Sequence, residues 1–471
     1  MEHHWAQREL RGAKLRDVRT RGSMADLCEA LARQPGASFS AAAGSAGCQA
    51  FGRLPKSGAA PNPAAAPDPT VAPDPTVGPA ELLAGHIQQT AARGGAYALV
   101  LVAQDTTDLQ FPRSPMVTGL GPTGKAPQGQ GLLAHSALAL SPAGTPLGVL
   151  HVSFWHREPA AHGQRATRRQ RRTDEKESRK WLEGLTAIET AFPPEQPVLV
   201  IQDREGDVFA LLAQARRPHT HLLIRAAQNR KVAWVTPAGV PQQDYLFAVA
   251  ATGPVVGRLT VTVPRRREPI ERETVVEVRA VQVWVQPPRH RKAGAPALPH
   301  GVVVVKVREL APPPEEPAIA WVLVTTFAVP DAATALAVVG YYACRWRIER
   351  LHYTLKSGLK VEEVRHASRT TLERALALYY LVAWHLLWLT YVAREQPTAA
   401  ATQVLTAVEL QILTRTTARP VRTAQEAIVA LGTLGGYRPY RNALPPGVQV
   451  LWRGYRRLQD ALLGYWAREP A

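Results

Sequence analysis

Four side chains in the stretch Tyr341–Lys360, YYACRWRIERLHYTLKSGLK, have the types and spacing to act together on a phosphate ester. Read as one α-helix through Tyr341–Ser357, with no Gly or Pro inside and a stop at Gly358, the stretch has a simple geometry. Tyr342, Arg345, Glu349 and Lys356 fall on one stripe roughly 60° wide and about 21 Å long. One carboxylate then lies between a phenol and a guanidinium on one side and an ammonium on the other. A solvated face with i, i+4 ion pairs has the same pattern. The chemical reading is a metal-binding carboxylate beside cations that grip phosphates. Arg345 suits a phosphate by its planar fork, Lys356 as a point charge, and Tyr342 as a hydrogen-bond donor.

Two further carboxylates lie upstream, each expected just past a buried strand. Ala96–Ala103 (AYALVLVA) leads into Gln104-Asp105-Thr106-Thr107, and Pro197–Ile201 (PVLVI) leads into Gln202-Asp203-Arg204-Glu205-Gly206-Asp207. An aspartate at a strand end is well placed for a metal, although a turn or N-cap aspartate reads the same way. Asp105, Asp203 and Glu349 form an all-oxygen set, which selects Mg²⁺ or Mn²⁺. Two such ions about 4 Å apart can activate a water or a 3′-hydroxyl and stabilise the leaving oxygen of an in-line displacement at phosphorus. No Ser/His or Cys/His arrangement presents itself. Cys28, Cys48 and Cys344 have neither zinc spacing nor the numbers for a disulfide framework, and suit a reducing cytosol.

The elements that position these residues follow from the hydrophobic pattern. Leu132–Leu140 and Pro146–Trp155 read as a hairpin across Ser141–Gly144, followed by a helix, the Pro197–Ile201 strand, a helix over Val208–Arg216 and a strand over His221–Arg225. That order of three strands, helix, strand, helix, strand is the order of an RNase H-like core in an α/β chain. Residues 230–328 break it. Arg258–Val263, Thr274–Val285, Val302–Arg308 and Trp321–Phe327 alternate as strands between basic loops (RRRE at 265–268, RHRK at 289–292), giving a mostly β insertion. The core resumes over 80–229 and 329–370 around that insertion. Residues 1–55 are basic and helical, and 56–79 form a Pro/Ala-rich linker in which APDPTV occurs at 66–71 and 72–77. A dense basic run, RATRRQRR at 165–172, reads as a phosphate-contacting or a merely solvated loop. Residues 371–471 are helical. Ala375–Ala393 is apolar enough for a membrane span but reads better as a buried core helix.

The spacing of Tyr342, Arg345, Glu349 and Lys356, with RWRIE and Lys-Ser-Gly around it, resembles the YREK pattern of bacterial DDE cut-and-paste transposases. These belong to insertion-sequence family four and are Tn-five-like. DREGD at 203–207 resembles the family's second catalytic motif, and DEKES…KWL at 174–182 resembles the helix after the third strand. The resemblance spans most of 1–55 and 80–471. It implies Asp105, Asp203 and Glu349 as the catalytic triad holding two Mg²⁺ or Mn²⁺ ions. It implies nicking at each transposon end, a hairpin formed and reopened there, and attack of the freed 3′-OH groups on target DNA. Arg204 and Arg225 match positions of DNA-contacting arginines, and Trp321 matches a tryptophan that stacks on a flipped base, although ordinary β-core packing would place a tryptophan there too. The family often has a second lysine where Tyr353 stands, so one positive charge is absent while a phosphate hydrogen bond remains available. Residues 1–55 would read the transposon ends. The stripe Leu451, Trp452, Tyr455, Leu458 and Leu462 falls in the region matching the family's dimerisation helices and fits packing within the chain equally well; the resemblance implies a homodimer in the synaptic complex.

Composition bounds the alternatives. In 471 residues the formal net charge is +18, which favours a polyanionic partner, double-stranded DNA before a membrane. MEHHWAQREL contains no apolar run that would act as a secretory signal, and the family resemblance implies a bacterial cytoplasmic, nucleoid-associated protein. A catalytically silent DNA-binding inhibitor or decayed transposase, a different RNase H-like nuclease and a membrane protein are the competing readings.

Overall fold

The computed structural model describes residues 5–15, 17–54, 77–112, 117, 119–123, 130–157, 177–236, 238–264, 271–288, 301–314, 316–440 and 445–466. The basic runs at 165–172, 265–268 and 289–292, and nearly all of the repeat linker, lie outside the described residues. The chain opens with α1 (Trp5–Leu10), α2 (Val18–Arg33), α3 (Phe39–Gly52) and α4 (Pro79–Gly94). Asp17 and Ser38 cap α2 and α3 by accepting the Thr20 and Ala41 backbone N–H groups at 2.7 and 3.2 Å. The core then follows as β1 (Val100–Gln110), β2 (Gly121–Pro122), β3 (Gln130–Leu140), β4 (Pro146–Trp155), α5 (Arg179–Ala191), β5 (Val198–Gln202), α6 (Phe209–Leu212) and β6 (Thr220–Arg225). The expected helix through Arg216 is a single turn, because the Arg216 guanidinium turns back onto the carbonyls of Leu211, Leu212 and Gln214.

Next come β7 (Lys231–Val235), β8 (Pro241–Tyr245), α7 (Leu246–Thr252), β9 (Val255–Pro264), β10 (Glu271–Val285), β11 (Val302–Glu309) and β12 (Ala320–Thr325). These strands extend the same sheet and do not stand apart from it. The order is β2-β3-β1-β5-β6-β12-β11-β10-β7-β8, with β4 on β3 and β9 on β10. β1, β5 and β6 run parallel, while β3 and β12 flank them antiparallel. The central strands are apolar on both faces, as parallel strands covered on both sides must be. Leu101, Ala103, Leu199, Ile201 and Leu223 face the large helical core. Val100, Val102, Val200 and Leu222 face Trp181, Leu185 and Ile188 of α5.

The remaining helices are α8 (Ala332–Ala343), α9 (Trp346–Tyr353), α10 (Arg369–Glu395), α11 (Ala407–Thr417), α12 (Ala424–Leu434) and α13 (Val448–Trp466). The single helix expected through Tyr341–Ser357 is broken in two places. At Cys344 and Arg345 the backbone tightens to i→i−3 bonding, with Arg345 N–H on the Tyr342 carbonyl at 3.0 Å and Ile348 N–H on that of Arg345 at 3.1 Å. After α9, a π turn over Thr354–Gly358 closes with Leu359 N–H on the Thr354 carbonyl at 2.8 Å.

α10 is the central buried helix: 94% of its most apolar window is covered by the rest of the chain, as a core helix requires. Its buried Arg374 donates to the carbonyls of Leu54 and Val77 at 3.2 and 2.6 Å, so one guanidinium holds both residues that bracket 55–76. The stripe of α13 is also internal. Leu451, Trp452, Tyr455 and Leu458 are buried in the core, with the Trp452 ring packed over Gly358. That stripe is therefore not a free dimer surface.

Candidate active site

Strand register explains how the two aspartates meet. Gln104 and Gln202 are direct partners across the parallel β1–β5 pair, so the residue after each lies at the same edge of the sheet. β5 ends there, and Asp203 enters a 3₁₀ turn that Gly206 N–H closes on the Asp203 carbonyl at 2.9 Å. β1 does not end: pairing with β3 carries it on to Gln110, opposing Asp105 to Ser136. Asp105 is thus mid-strand and not past a strand end, on the part of β1 that has outrun β5. Strand alternation turns the two glutamines to the opposite face, where both are fully buried and Gln202 Nε2 donates to Gln104 Oε1 at 2.5 Å. Gly184 of α5 packs so closely on Gln104 that a Cβ there would stand 2.5 Å from its Nε2.

α8 and α9 cross the other face and bring the third carboxylate. Arg345 is the hub. Its guanidinium is 2% exposed, donates to Glu349 Oε1 at 2.8 Å and lies 3.8 Å from Asp203 Oδ2. Tyr342, fully buried, donates its hydroxyl to Asp203 Oδ1 at 3.1 Å, and Arg225 approaches the same oxygen at 3.6 Å. Tyr342 and Arg345, expected to reach outward to phosphates, are instead inward partners of the carboxylates. The tightened turn at Cys344–Arg345 is what rotates Arg345 into the interior. Lys356 on the π turn is half-buried and pairs with Glu362 Oε1 at 3.9 Å, while Arg204 is exposed.

Two other expectations change with the geometry. Trp321 is 3% exposed, with its ring edge-on to Tyr342 at 5.0 Å, so its faces are taken by core packing and no base can stack on it in this arrangement. Tyr353 stacks on Trp452 at 6.3 Å, and its hydroxyl accepts a hydrogen bond from Gln449, so it ties α9 to α13. His352 was not singled out in the sequence. Its Nδ1 lies 3.9 Å from Asp105 Oδ2 and its Nε2 is 2.9 Å from Ser136 Oγ. Burial, aided by the charge of Lys356, pushes its pKa down to about 3, so the ring is neutral. The i, i+3 spacing from Glu349 to His352 was its available signal. For the glutamine pair it was the repeated Gln-Asp dipeptide at 104–105 and 202–203.

The electrostatics separate the aspartates. Burial raises Asp105 to about 6; Arg345 opposes this, and Glu349 and Glu205 reinforce it. Asp203 is also raised by burial, but Arg345, the Arg204 N–H, Arg225 and Tyr342 together hold it below the usual carboxylate range. Among the described residues no three His, Cys, Asp or Glu side chains stand close enough to ligate one ion in this arrangement. Arg345 lies between Asp203 and Glu349 instead. The donor chemistry nevertheless fits a hard divalent cation: Asp105, Asp203 and Glu349 all act on the one Arg345 guanidinium and offer only carboxylate oxygens.

Residues 155–384 match the family model of the transposase DDE domain, a span that includes Asp203 and Glu349. The match supports a DDE transposase. Among solved structures the chain is similar to a piggyBac transposase synaptic complex with hairpin DNA, at 9% identity and a TM-score of 0.34. The similarity covers 83% of this chain and 58% of the length of that one.

Proposed function

We propose that this chain is a cut-and-paste DNA transposase of the YREK kind, cleaving and joining strands by divalent-metal-dependent phosphoryl transfer at Asp105, Asp203 and Glu349. The observation that carries the reading is that Asp105 and Asp203 each follow a register partner on adjacent parallel strands while Arg345 links Asp203 to the helix-borne Glu349. The strand order β4-β3-β1-β5-β6 supports an RNase H-like core, with 230–328 as an insertion that lengthens its sheet. Two Mg²⁺ or Mn²⁺ ions held by the three carboxylates would supply Lewis-acid stabilisation of the attacking and leaving oxygens.

The rest of the work belongs to side chains. The Gln104–Gln202 pair and β-ladder fix the spacing of the aspartates. His352 and Ser136 shape the neutral wall beside Asp105, and Arg345 and Tyr342 orient Asp203 and Glu349. Lys356 and the exposed Arg204 are the cations available to non-scissile phosphates, with the α1–α3 unit reading the DNA ends. Synapsis of two ends calls for two protomers, joined through a surface other than the buried α13 stripe.

The test is Mg²⁺- or Mn²⁺-dependent cleavage of DNA carrying the sequences that flank the gene, by wild type and Glu349→Ala. Nicked, hairpin and excised products from wild type alone are expected. Cleavage by Glu349→Ala would contradict the site, and binding without cleavage by wild type would replace it with a silent regulator.

A further inference from the structure

The three carboxylates are not held alike. Asp203 accepts the Tyr342 hydroxyl at 3.1 Å, and Glu349 accepts the Arg345 guanidinium at 2.8 Å. Among the described residues no side chain completes a hydrogen bond to the Asp105 carboxylate, and His352 Nδ1 stands 3.9 Å from its Oδ2. Behind that ring the polar groups form a row. Ser136 is the cross-strand partner of Asp105 in the β1–β3 ladder, so both side chains leave the same face of the sheet. Its Oγ is 2.9 Å from His352 Nε2 in a buried contact. Beyond Ser136 lies Tyr380 of α10, fully buried, on whose hydroxyl both Ser136 and Asp105 act. That hydroxyl makes no hydrogen bond of ordinary geometry in this arrangement. A phenol buried on an apolar helix costs free energy unless a polar neighbour accepts its hydrogen. Ser136 is that neighbour.

The row has one self-consistent direction. An ionised carboxylate only accepts hydrogen bonds, so a neutral imidazole facing Asp105 must carry its proton on Nδ1. Nε2 is then a lone pair that accepts from the Ser136 hydroxyl, and the Ser136 oxygen accepts from Tyr380. The opposite tautomer would aim the Nδ1 lone pair at the Asp105 carboxylate. His352 also lies one turn after Glu349 on α9, so a single helix carries one carboxylate of the site and a donor for another.

We propose that Tyr380, Ser136 and His352 are positioning residues that aim Asp105 at the metal through one directed chain of hydrogen bonds, with His352 Nδ1–H as the last donor. This rests on the transposase reading and deepens it: His352 does for Asp105 what Tyr342 does for Asp203. Bringing the 3.9 Å separation to hydrogen-bond distance takes about 1 Å of movement by ring or carboxylate. Donors of this kind orient carboxylate ligands, and losing one weakens metal binding by about 10- to 100-fold.

Two measurements on the full chain test the proposal. The first is the tautomer of His352, read from the nitrogen-15 shifts of histidine-labelled protein in EDTA, its signal assigned by loss in His352→Asn. The proton is expected on Nδ1. A ring that only braces Ser136 by donating from Nε2 would carry it there, and that result would overturn the chain. The second is the Mg²⁺ concentration for half-maximal DNA cleavage, each variant beside its Tm. Asn puts an amide N–H near the place of Nδ1, and Gln near that of Nε2. His352→Asn should therefore stay within about threefold of wild type, whereas His352→Gln and His352→Leu should need at least about tenfold more Mg²⁺. Ser136→Ala and Tyr380→Phe should shift the requirement the same way and by less. Rescue by Gln and not by Asn would overturn the proposal. If wild type cleaves and every variant matches its Mg²⁺ requirement, the chain fails and the transposase reading stands. If wild type does not cleave, the transposase reading fails, and the tautomer, read without metal or DNA, still decides the chain.

Discussion

Arg345 shows how far residue types and spacing go. That it would share a site with Glu349 was legible, because i and i+4 on a helix are neighbours. Its burial was not, because the tightened turn at Cys344 has no Gly or Pro to announce it. The same turn explains why Tyr342 bonds Asp203 and not a phosphate. The glutamines beneath the aspartates carry a sharper prediction. Gln202→Leu leaves the buried Gln104 carbonyl oxygen without its donor and should cost about 1–3 kcal/mol by denaturant unfolding. Leu at both positions should recover most of that loss, since no buried polar atom is then orphaned. If the single and double variants unfold alike, the amide bond is not what stabilises this layer.

At the scale of elements, most strands of the core could be read in order, because continuous apolar runs mark buried strands. The β7–β8 hairpin was missed: β8 is exposed along its whole length, so it has no hydrophobic signal. The docking of α1 on α4 was also hidden, since it depends on residues 77 and 84 positions apart. Buried Glu9 accepts from Arg93 at 2.7 and 3.0 Å and from His86 Nδ1 at 2.7 Å. His86 Nε2 accepts the Val149 N–H at 2.9 Å, which fixes the neutral tautomer with the proton on Nδ1.

Burial would raise Glu9, but His86 and Arg93 outweigh it and hold the carboxyl down at about 2. Burial lowers His86 against the opposing pull of Glu9. Both folded values lie below the unfolded ones, so each group stabilises the fold above its unfolded pKa and loses that contribution as pH falls. The loss should begin below pH 6.5 through His86 and continue from 4.5 toward 2 through Glu9. Calorimetry should show Tm falling over that window. Glu9→Gln should be less stable at pH 7 by on the order of 3 kcal/mol and flatter below pH 4.5. Parallel Tm–pH curves for the two proteins would show that Glu9 is not the titrating group.

At the scale of the whole molecule, the charge of +18 pointed to nucleic acid and the element order to the central sheet. Two things were not legible. One is the continuity of the sheet through β12 to β8, because pairing partners leave no mark on a single strand. The other is the closure of 55–76 at Arg374, because a guanidinium between two carbonyls from distant positions has no local pattern. With both ends held there, deleting one APDPTV copy changes loop-closure entropy by only about 0.3 kcal/mol. Tm and DNA cleavage should be unchanged, whereas a large drop in either would give the repeat a structural task.

The central claim is that Asp105, Asp203 and Glu349 form one DNA-cleaving site. Its most direct test is the single-turnover cleavage rate of Asp105→Asn, Asp203→Asn and Glu349→Gln in Mg²⁺, each beside its Tm. Every variant should lose at least about a thousandfold in rate while remaining folded, because the three carboxylates act as a unit. Near-wild-type cleavage by any one of them would remove that residue from the site and contradict the account.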